Sequence, residues 1–143
     1  MTCEINTGRL EPCKTVGGLK NVYFGAFDST MTVTEVAGEI TSFGNPLTVY
    51  RWELRGANSM DEVGESSRDN GTAFYTATGT FQFKKQDPAT MVALETAARG
   101  LNYVITEGYD GSVKIYGLAD GCEISVSSAS GSGMGDFNGY NVT

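Results

Sequence analysis

Residues 70–121, NGTAFYTATGTFQFKKQDPATMVALETAARGLNYVITEGYDGSVKIYGLADG, decide the fold because they place one helix among strands. The run from Gly71 to Phe83 is rich in Thr and aromatic residues and predicts a strand. Residues 101–107 and 112–118 predict two more strands around a Gly-containing turn. The stretch therefore predicts strand, helix, strand, turn and strand.

The helix is predicted over about residues 88–99 from its two ends and its apolar spacing. Asp87 is a favourable N-cap, and Pro88 suits the first helical position. Gly100 is the expected residue after the last turn. A slim helix of this kind covers part of one face of a sheet. Its predicted apolar face consists of Met91, Leu94, Ala98 and Leu101.

The rest of the chain reads as further strands separated by Gly, Pro, Asn and Asp turns. With the stretch above, about nine strands and one helix are predicted. This count is typical of a mainly β protein, an antiparallel β-barrel or sandwich with one flanking helix. The last residues are expected to pair with a sheet edge. The additional strands are predicted at residues 19–27, 31–36, 39–43, 47–54 and 121–128, and at the end of residues 136–143, which begin as a turn.

The domain organisation is predicted as an N-terminal arm, residues 1–18, followed by a single β domain, residues 19–143. The arm has little periodicity and is interrupted by Pro12. A long loop is predicted at residues 57–70, with four acidic residues against one Arg. Loops of this length are usually functional. We expect a projecting hairpin tip that becomes ordered only against a neighbouring subunit.

Composition narrows the classes of function. The 143 residues carry a net charge of −7, which disfavours tight binding to nucleic acid phosphates. No apolar run reaches about 18 residues and the first residues lack a signal-peptide pattern, so we expect no membrane segment and synthesis in a cytoplasm. Three cysteines, Cys3, Cys13 and Cys122, have no disulfide or zinc spacing and are expected to be reduced and mostly buried.

No catalytic, cofactor-binding or metal-binding residue is predicted. The chain has no His, which removes Ser-His-Asp and Cys-His nucleophiles and most zinc sites. The Gly-rich run at residues 131–135 is followed by turn residues rather than a helix, so it predicts a flexible loop. The acidic residues of the long loop are expected to be solvated, with a weak cation site as the alternative. We therefore do not expect an enzyme.

Lys84 and Lys85 form the one adjacent basic pair of the sequence. A solvated strand end is one interpretation. The other is an ion-pair partner for the acidic loop of a neighbouring subunit, at Asp61 and Glu62, because opposite charges on complementary patches set the register of stacked subunits.

The order of these elements resembles the tail tube proteins of tailed bacteriophages, and most closely those of phages that infect Bacteroidetes-type hosts. The similarity runs through the Lys-Lys-Gln-Asp-Pro helix that ends in Ala-Arg-Gly, and through residues 113–143, VKIYGLADGCEISVSSASGSGMGDFNGYNVT. The opening segment at residues 8–20 is similar as well. The Gly-rich turn followed by Gly-Asp-Phe-Asn-Gly-Tyr is the most specific part.

The resemblance implies a virion structural protein whose copies form hexameric rings that stack into a tube, a fold shared with the type VI secretion tube protein. The lumen would conduct DNA without specific binding, and other phage tail or neck proteins would be partners. The protein would be made in the bacterial host cytoplasm and reside in the virion. The arm and the long loop would contact adjacent subunits or rings. Candidate contact residues are Arg9, Lys14, Asp61, Glu62, Glu65, Arg68, Lys84 and Lys85.

Two alternatives remain open. The chain is either another virion part, such as a tail terminator, neck ring or capsid decoration protein, or a carbohydrate-binding β module. The second alternative depends on whether Tyr50, Trp52, Tyr75 and Tyr103 form a stacking platform.

Overall fold

The computed structural model describes residues 4–56 and 58–143. These residues form ten strands and one helix. In chain order the elements are β1 (Leu19–Ala26), β2 (Val33–Val36), β3 (Glu39–Phe43), β4 (Val49–Glu53), β5 (Ser59–Ser67), β6 (Thr72–Lys84), α1 (Pro88–Arg99), β7 (Asn102–Gly108), β8 (Val113–Tyr116), β9 (Val126–Ala129) and β10 (Gly139–Val142).

Two four-stranded sheets and one small hairpin make up the fold. The strand orders are β4-β1-β7-β8 and β5-β6-β10-β9, and β2 pairs with β3. Every pairing is antiparallel. Within the described residues the two larger sheets do not close into a barrel. The prediction of a mainly β protein with one helix is confirmed, in its sandwich form.

The core lies between the inner faces of the two larger sheets. Alternate residues of β1 and β6 point into it, as the period of two requires. Trp52 of β4 packs here, with its ring 6.0 Å from that of Phe24 and 4.9 Å from that of Phe83. Trp52 therefore contacts core aromatic rings that belong to both sheets. The buried apolar residues of the core cluster are Val22, Phe24, Leu54, Phe81, Phe83, Leu94, Val104, Ile124, Tyr140 and Val142.

The helix begins where the sequence predicts, but it packs less deeply than expected. The Asp87 side chain accepts a hydrogen bond from the Thr90 N–H and caps the first turn. Of the predicted apolar face, Leu94 alone is buried, whereas Met91 and Ala98 are exposed. Gly100 follows the last turn in an extended conformation with φ −124°, not in the left-handed form common at this position.

Three strand predictions require correction. The long loop predicted at residues 57–70 is wrong for most of its length, because β5 occupies residues 59–67 and pairs with β6 throughout. The strand predicted at residues 121–128 is regular only from Val126, since its first half follows the turn of Gly121 and makes one isolated bridge to β7. The last strand lies between β6 and β9 rather than at a sheet edge.

Residues 4–17 form neither a helix nor a strand and are exposed. Cys13 lies in this segment as an exposed free thiol, so the expectation of mostly buried thiols is wrong for it. Cys122 is half-buried and free, and burial raises the pKa of its thiol. Cys3 lies outside the described residues.

Candidate assembly surface

The predicted contact residues are all exposed, but they lie in three separate places. Three acidic residues are on β5, Arg68 is in the turn that follows, and the basic pair is at the far end of β6. Two basic residues are on the N-terminal segment. The full set is Arg9, Lys14, Asp61, Glu62, Glu65, Arg68, Lys84 and Lys85.

The hairpin of β5 and β6 extends beyond the sandwich as a two-stranded ribbon. We call residues 61–78 the ribbon, because none of them is buried. The last contacts with the core are made near its base, where Met60 pairs with the buried Gly79. An isolated two-stranded hairpin is marginally stable in water, so the ribbon depends on its attachment at this base.

Both faces of the ribbon carry exposed apolar side chains. Val63 and Phe74 are on one face, and each is about half exposed. On the other face, the Tyr75 ring lies against Gly64, the residue directly opposite it. A Cβ on Gly64 would be 2.7 Å from Cε1 of Tyr75. These apolar residues were not among the predicted contact residues, although the aromatic pair at 74–75 in a Thr-rich run was a usable signal.

Glu62 connects the base of the ribbon to the opposite sheet. Its Oε1 is 3.8 Å from Lys114 Nζ, on the edge strand β8. Burial raises the pKa of Tyr116, also on β8, to about 12, and the charge of the Glu62 carboxylate adds to this rise. Both side chains of the ion pair are largely exposed, which limits its contribution to stability.

The acidic residues and the basic pair cannot meet within one chain. Asp61, the nearest of the acidic residues, pairs with Thr78, six residues from Lys84 along β6, and six strand residues span about 20 Å, which is beyond the reach of the two side chains. Lys85 turns the chain out of β6 with φ 66°, and its N–H donates to the Asn138 carbonyl at 2.7 Å. An ion pair between these two groups therefore requires two copies of the chain.

The N-terminal segment offers a second exposed apolar surface. The side chains of Ile5 and Leu10 are each 92% exposed, and Val16 is 60% exposed. Arg9 and Glu11 contact one another at 3.8 Å (Nη1 to Oε2). These three apolar side chains are therefore left largely in water by the described part of the chain.

The four aromatic residues considered for a stacking platform do not share a surface. Tyr103 is completely buried, and its hydroxyl donates to the Asp28 carbonyl at 2.9 Å. Trp52 packs against core rings. Tyr50 and Tyr75 alone are exposed. These four residues therefore do not form the stacking platform that a carbohydrate-binding role requires.

Three further observations concern clefts, charged groups and membrane segments. A groove of about 700 Å³ separates the β2–β3 hairpin from the outer face of β7 and β8 and is lined by Ile40, Phe43 and Ile105 among others. In residues 4–56 and 58–143, no group of three or more His, Cys, Asp or Glu side chains is placed to hold a metal ion. Over the same residues, no helix has the length and apolar character needed to cross a membrane.

Comparison of the chain with protein-family models, curated proteins and solved structures gave no match.

Proposed function

We propose that this chain is a virion structural protein, a tail tube subunit whose copies form hexameric rings that stack into the DNA conduit of a phage tail. The proposal combines the resemblance described from the sequence with the surface described above. It assigns the chain a role in self-assembly and no catalytic role.

The observation that carries the proposal is the exposed β5–β6 ribbon. A ribbon with exposed apolar side chains on both faces is costly to leave in water. The simplest way to bury these side chains is contact with other copies of the same chain, because closed symmetric assemblies bury the same patch on every subunit. The exposed edge strands β4 and β9 point to the same requirement, since unpaired edges are templates for association.

The charge of the chain agrees with a conduit that does not hold DNA. With a net charge of −7, a ring of six copies is strongly acidic. Such a surface repels phosphates and lets DNA pass without specific binding. The acidic ribbon and the basic pair at Lys84 and Lys85 also give two copies complementary charges, which set register more than affinity.

A virion part that forms a single ring is the second candidate. A tail terminator or neck ring needs the same lateral contacts but does not stack. The exposed segment at residues 4–17 favours the stacking subunit, because the chain then has an additional surface to place against a neighbouring ring. Rings that never stack at any concentration would support the single-ring part.

The test is size-exclusion chromatography with light scattering, followed by electron microscopy of the same fractions. We expect rings of six subunits, and tubes at higher protein concentration. Raising the salt concentration is expected to change stacking, because exposed ion pairs are screened over about 10 Å at 0.1 M. A chain that stays monomeric at every protein and salt concentration would contradict the proposal.

A pair of variants separates the ribbon from general surface effects. Phe74→Ser removes an apolar side chain from the ribbon and is expected to reduce assembly. Met134→Ser is the matched control, because Met134 is fully exposed in the loop between β9 and β10. Equal assembly of the two variants would show that the ribbon is not the contact.

A further inference from the structure

The edge strand β9 differs from the other sheet edges in its lack of charge. The edge strands β4, β5 and β8 of the two larger sheets each carry Lys, Arg, Asp or Glu, residues that discourage pairing with another strand. Among these edges in the described residues, β9 (Val126–Ala129) alone has no charged residue. It is therefore the edge at which an added strand meets the least opposition.

A groove of about 570 Å³ runs along this edge, between β9 and the helix α1. Val126 and the buried Ile124 form its apolar side. The helix contributes Met91, Glu95 and Arg99 to the opposite wall. The groove thus combines unpaired strand backbone, apolar side chains and two opposite charges.

The helix and β9 run in opposite directions along the groove. Before the helix, Gln86 Nε2 donates to the Ala129 carbonyl at the end of β9. After the helix, Asn102 exchanges two backbone hydrogen bonds with Cys122, before the start of β9. A strand that lies parallel to the helix is consequently antiparallel to β9.

The charges on the helix wall match those of the N-terminal segment in spacing and sign. Glu95 and Arg99 are one turn apart, about 6 Å along the helix, and they form no ion pair in the described part of the chain. In the described chain Arg9 and Glu11 contact one another at 3.8 Å. If the segment adds as an extended strand, their Cα atoms lie on one side of it, about 6.8 Å apart, and each side chain is free to exchange that contact for one with the helix. Placed parallel to the helix, Arg9 faces Glu95 while Glu11 faces Arg99.

We infer that residues 4–11 of a second copy bind in this groove as an added antiparallel strand on β9. Strand addition supplies main-chain hydrogen bonds, and the two ion pairs set the register. Pro12 has no N–H and ends the added strand. Leu10 lies on the opposite face of such a strand from Arg9 and Glu11, so the main-chain hydrogen bonds and the two ion pairs carry the contact.

The inference rests on the proposed self-assembly and names one of its contacts. The first test measures the assembled fraction of the full chain by analytical ultracentrifugation, with circular dichroism to confirm folding. Arg9→Glu and Glu95→Arg are each expected to weaken assembly about fivefold, and the double variant is expected to recover most of it. Arg55→Glu is the control, because Arg55 is exposed and lies outside both the N-terminal segment and the groove.

The second test detects the contact even where rings do not form. A labelled synthetic peptide of residues 4–17 is titrated into the Arg9→Glu chain, whose own arm no longer matches the groove, and binding is followed by fluorescence anisotropy. We expect saturable binding, about fivefold weaker when the chain also carries Glu95→Gln, which removes the partner of Arg9 in the peptide without restoring a match to the chain's own arm.

The outcomes separate the two proposals. If the wild-type chain forms rings and Arg9→Glu assembles equally well, the arm contact is overturned and the proposed function stands. The same holds if the double variant assembles no better than the single variants. If the wild-type chain never assembles, the proposed function fails and the peptide titration decides the inference. Absent peptide binding, or peptide binding that is insensitive to Glu95→Gln, would then overturn the inference.

Discussion

The hydroxyl of Tyr140 forms hydrogen bonds with both backbone polar groups of Asp87. It accepts a hydrogen bond from the Asp87 N–H at 3.2 Å and donates one to the Asp87 carbonyl at 3.1 Å. Tyr140 is buried in β10, and Asp87 is the cap of the helix. Tyr103 holds Asp28 in the same way, with distances of 3.3 and 2.9 Å. In each case a buried tyrosine fixes a turn against the body of the sandwich.

Replacing Tyr140 by Phe removes both hydrogen bonds and keeps the ring in the core. We expect the free energy of unfolding to fall by about 1–2 kcal/mol, because the Asp87 backbone groups lose their partner. Urea unfolding followed by circular dichroism measures it. Tyr75→Phe is the control, since that residue is exposed, and we expect a change within about 0.5 kcal/mol. Equal effects of the two variants would show that the contact with Asp87 does not stabilise the fold.

We expect low pH to destabilise the first turn of the helix, because the capping carboxylate of Asp87 becomes protonated. The Thr90 hydroxyl, the Thr90 N–H, the Ala89 N–H and the charge of Lys85 together hold the pKa of this carboxyl below its ordinary value of 3.8. A depressed folded-state pKa contributes stability that is present above the unfolded-state pKa and is lost as the pH falls through the folded-state value. We expect stability to fall below about pH 4.

The variant Asp87→Asn tests this linkage. Asn still accepts the capping hydrogen bond but does not titrate. Plotted against pH, its free energy of unfolding should therefore fall less steeply below about pH 4 than that of the wild type. Parallel curves for the two proteins would assign the acid sensitivity to other groups, such as Asp28, Asp110 and Asp136, whose pKa values are also lowered.

Gly139 is required where β10 meets β6. It pairs with Lys84, and a Cβ at this position would collide with the Phe83 carbonyl oxygen. Because the collision is with backbone, the strands themselves must separate. We expect Gly139→Ala to lower the free energy of unfolding by about 1–3 kcal/mol.

Gly100→Ala is the matched control for that substitution. The backbone of Gly100 is extended, and no atom lies within 4 Å of an added Cβ. A change between zero and a stabilisation of about 1 kcal/mol is expected, because Ala restricts the unfolded chain. Both variants are measured by chemical denaturation. Destabilisation at Gly100 equal to that at Gly139 would contradict the packing described here.

Leu94 is the main attachment of the helix to the core. Its side chain is 1% exposed, whereas Val92, two residues away, is 62% exposed. We expect Leu94→Ala to cost about 2–5 kcal/mol and Val92→Ala about 0.5 kcal/mol or less. Thermal and urea unfolding measure both. If the two substitutions lower the free energy of unfolding equally, Leu94 is not the residue that attaches the helix to the core.

The helix shows which structural features can be predicted from local sequence and which cannot. Asp87, Pro88 and Gly100 predicted its ends, because capping depends on residues within one turn. Its burial was not predicted correctly. The spacing favoured a face that included Met91 and Ala98, but the sheet beneath the helix covers Leu94 and leaves those two residues exposed. Which part of an apolar stripe is buried depends on the position of the partner, which is set by distant strands.

The same division applies to the candidate surface. The polar composition of residues 57–70 predicted a loop, yet residues 59–67 form a strand because β6 pairs with their backbone. Backbone pairing does not require apolar side chains, so composition carried no signal for it. The sequence did indicate that the charged residues of this segment and of the N-terminal segment are exposed.

The sequence by itself determined the mainly β character, the single helix and its ends, and the absence of histidine chemistry. These properties depend on residue identity, on periods of 2 and 3.6 residues, and on contacts within one turn. Tertiary structure alone decided the strand orders, the length of the ribbon and the groove beside β9. Each of these arises from hydrogen bonds and packing between residues far apart in sequence, such as Ser59 with Thr80 and Tyr140 with Phe83, and no local pattern encodes such pairings.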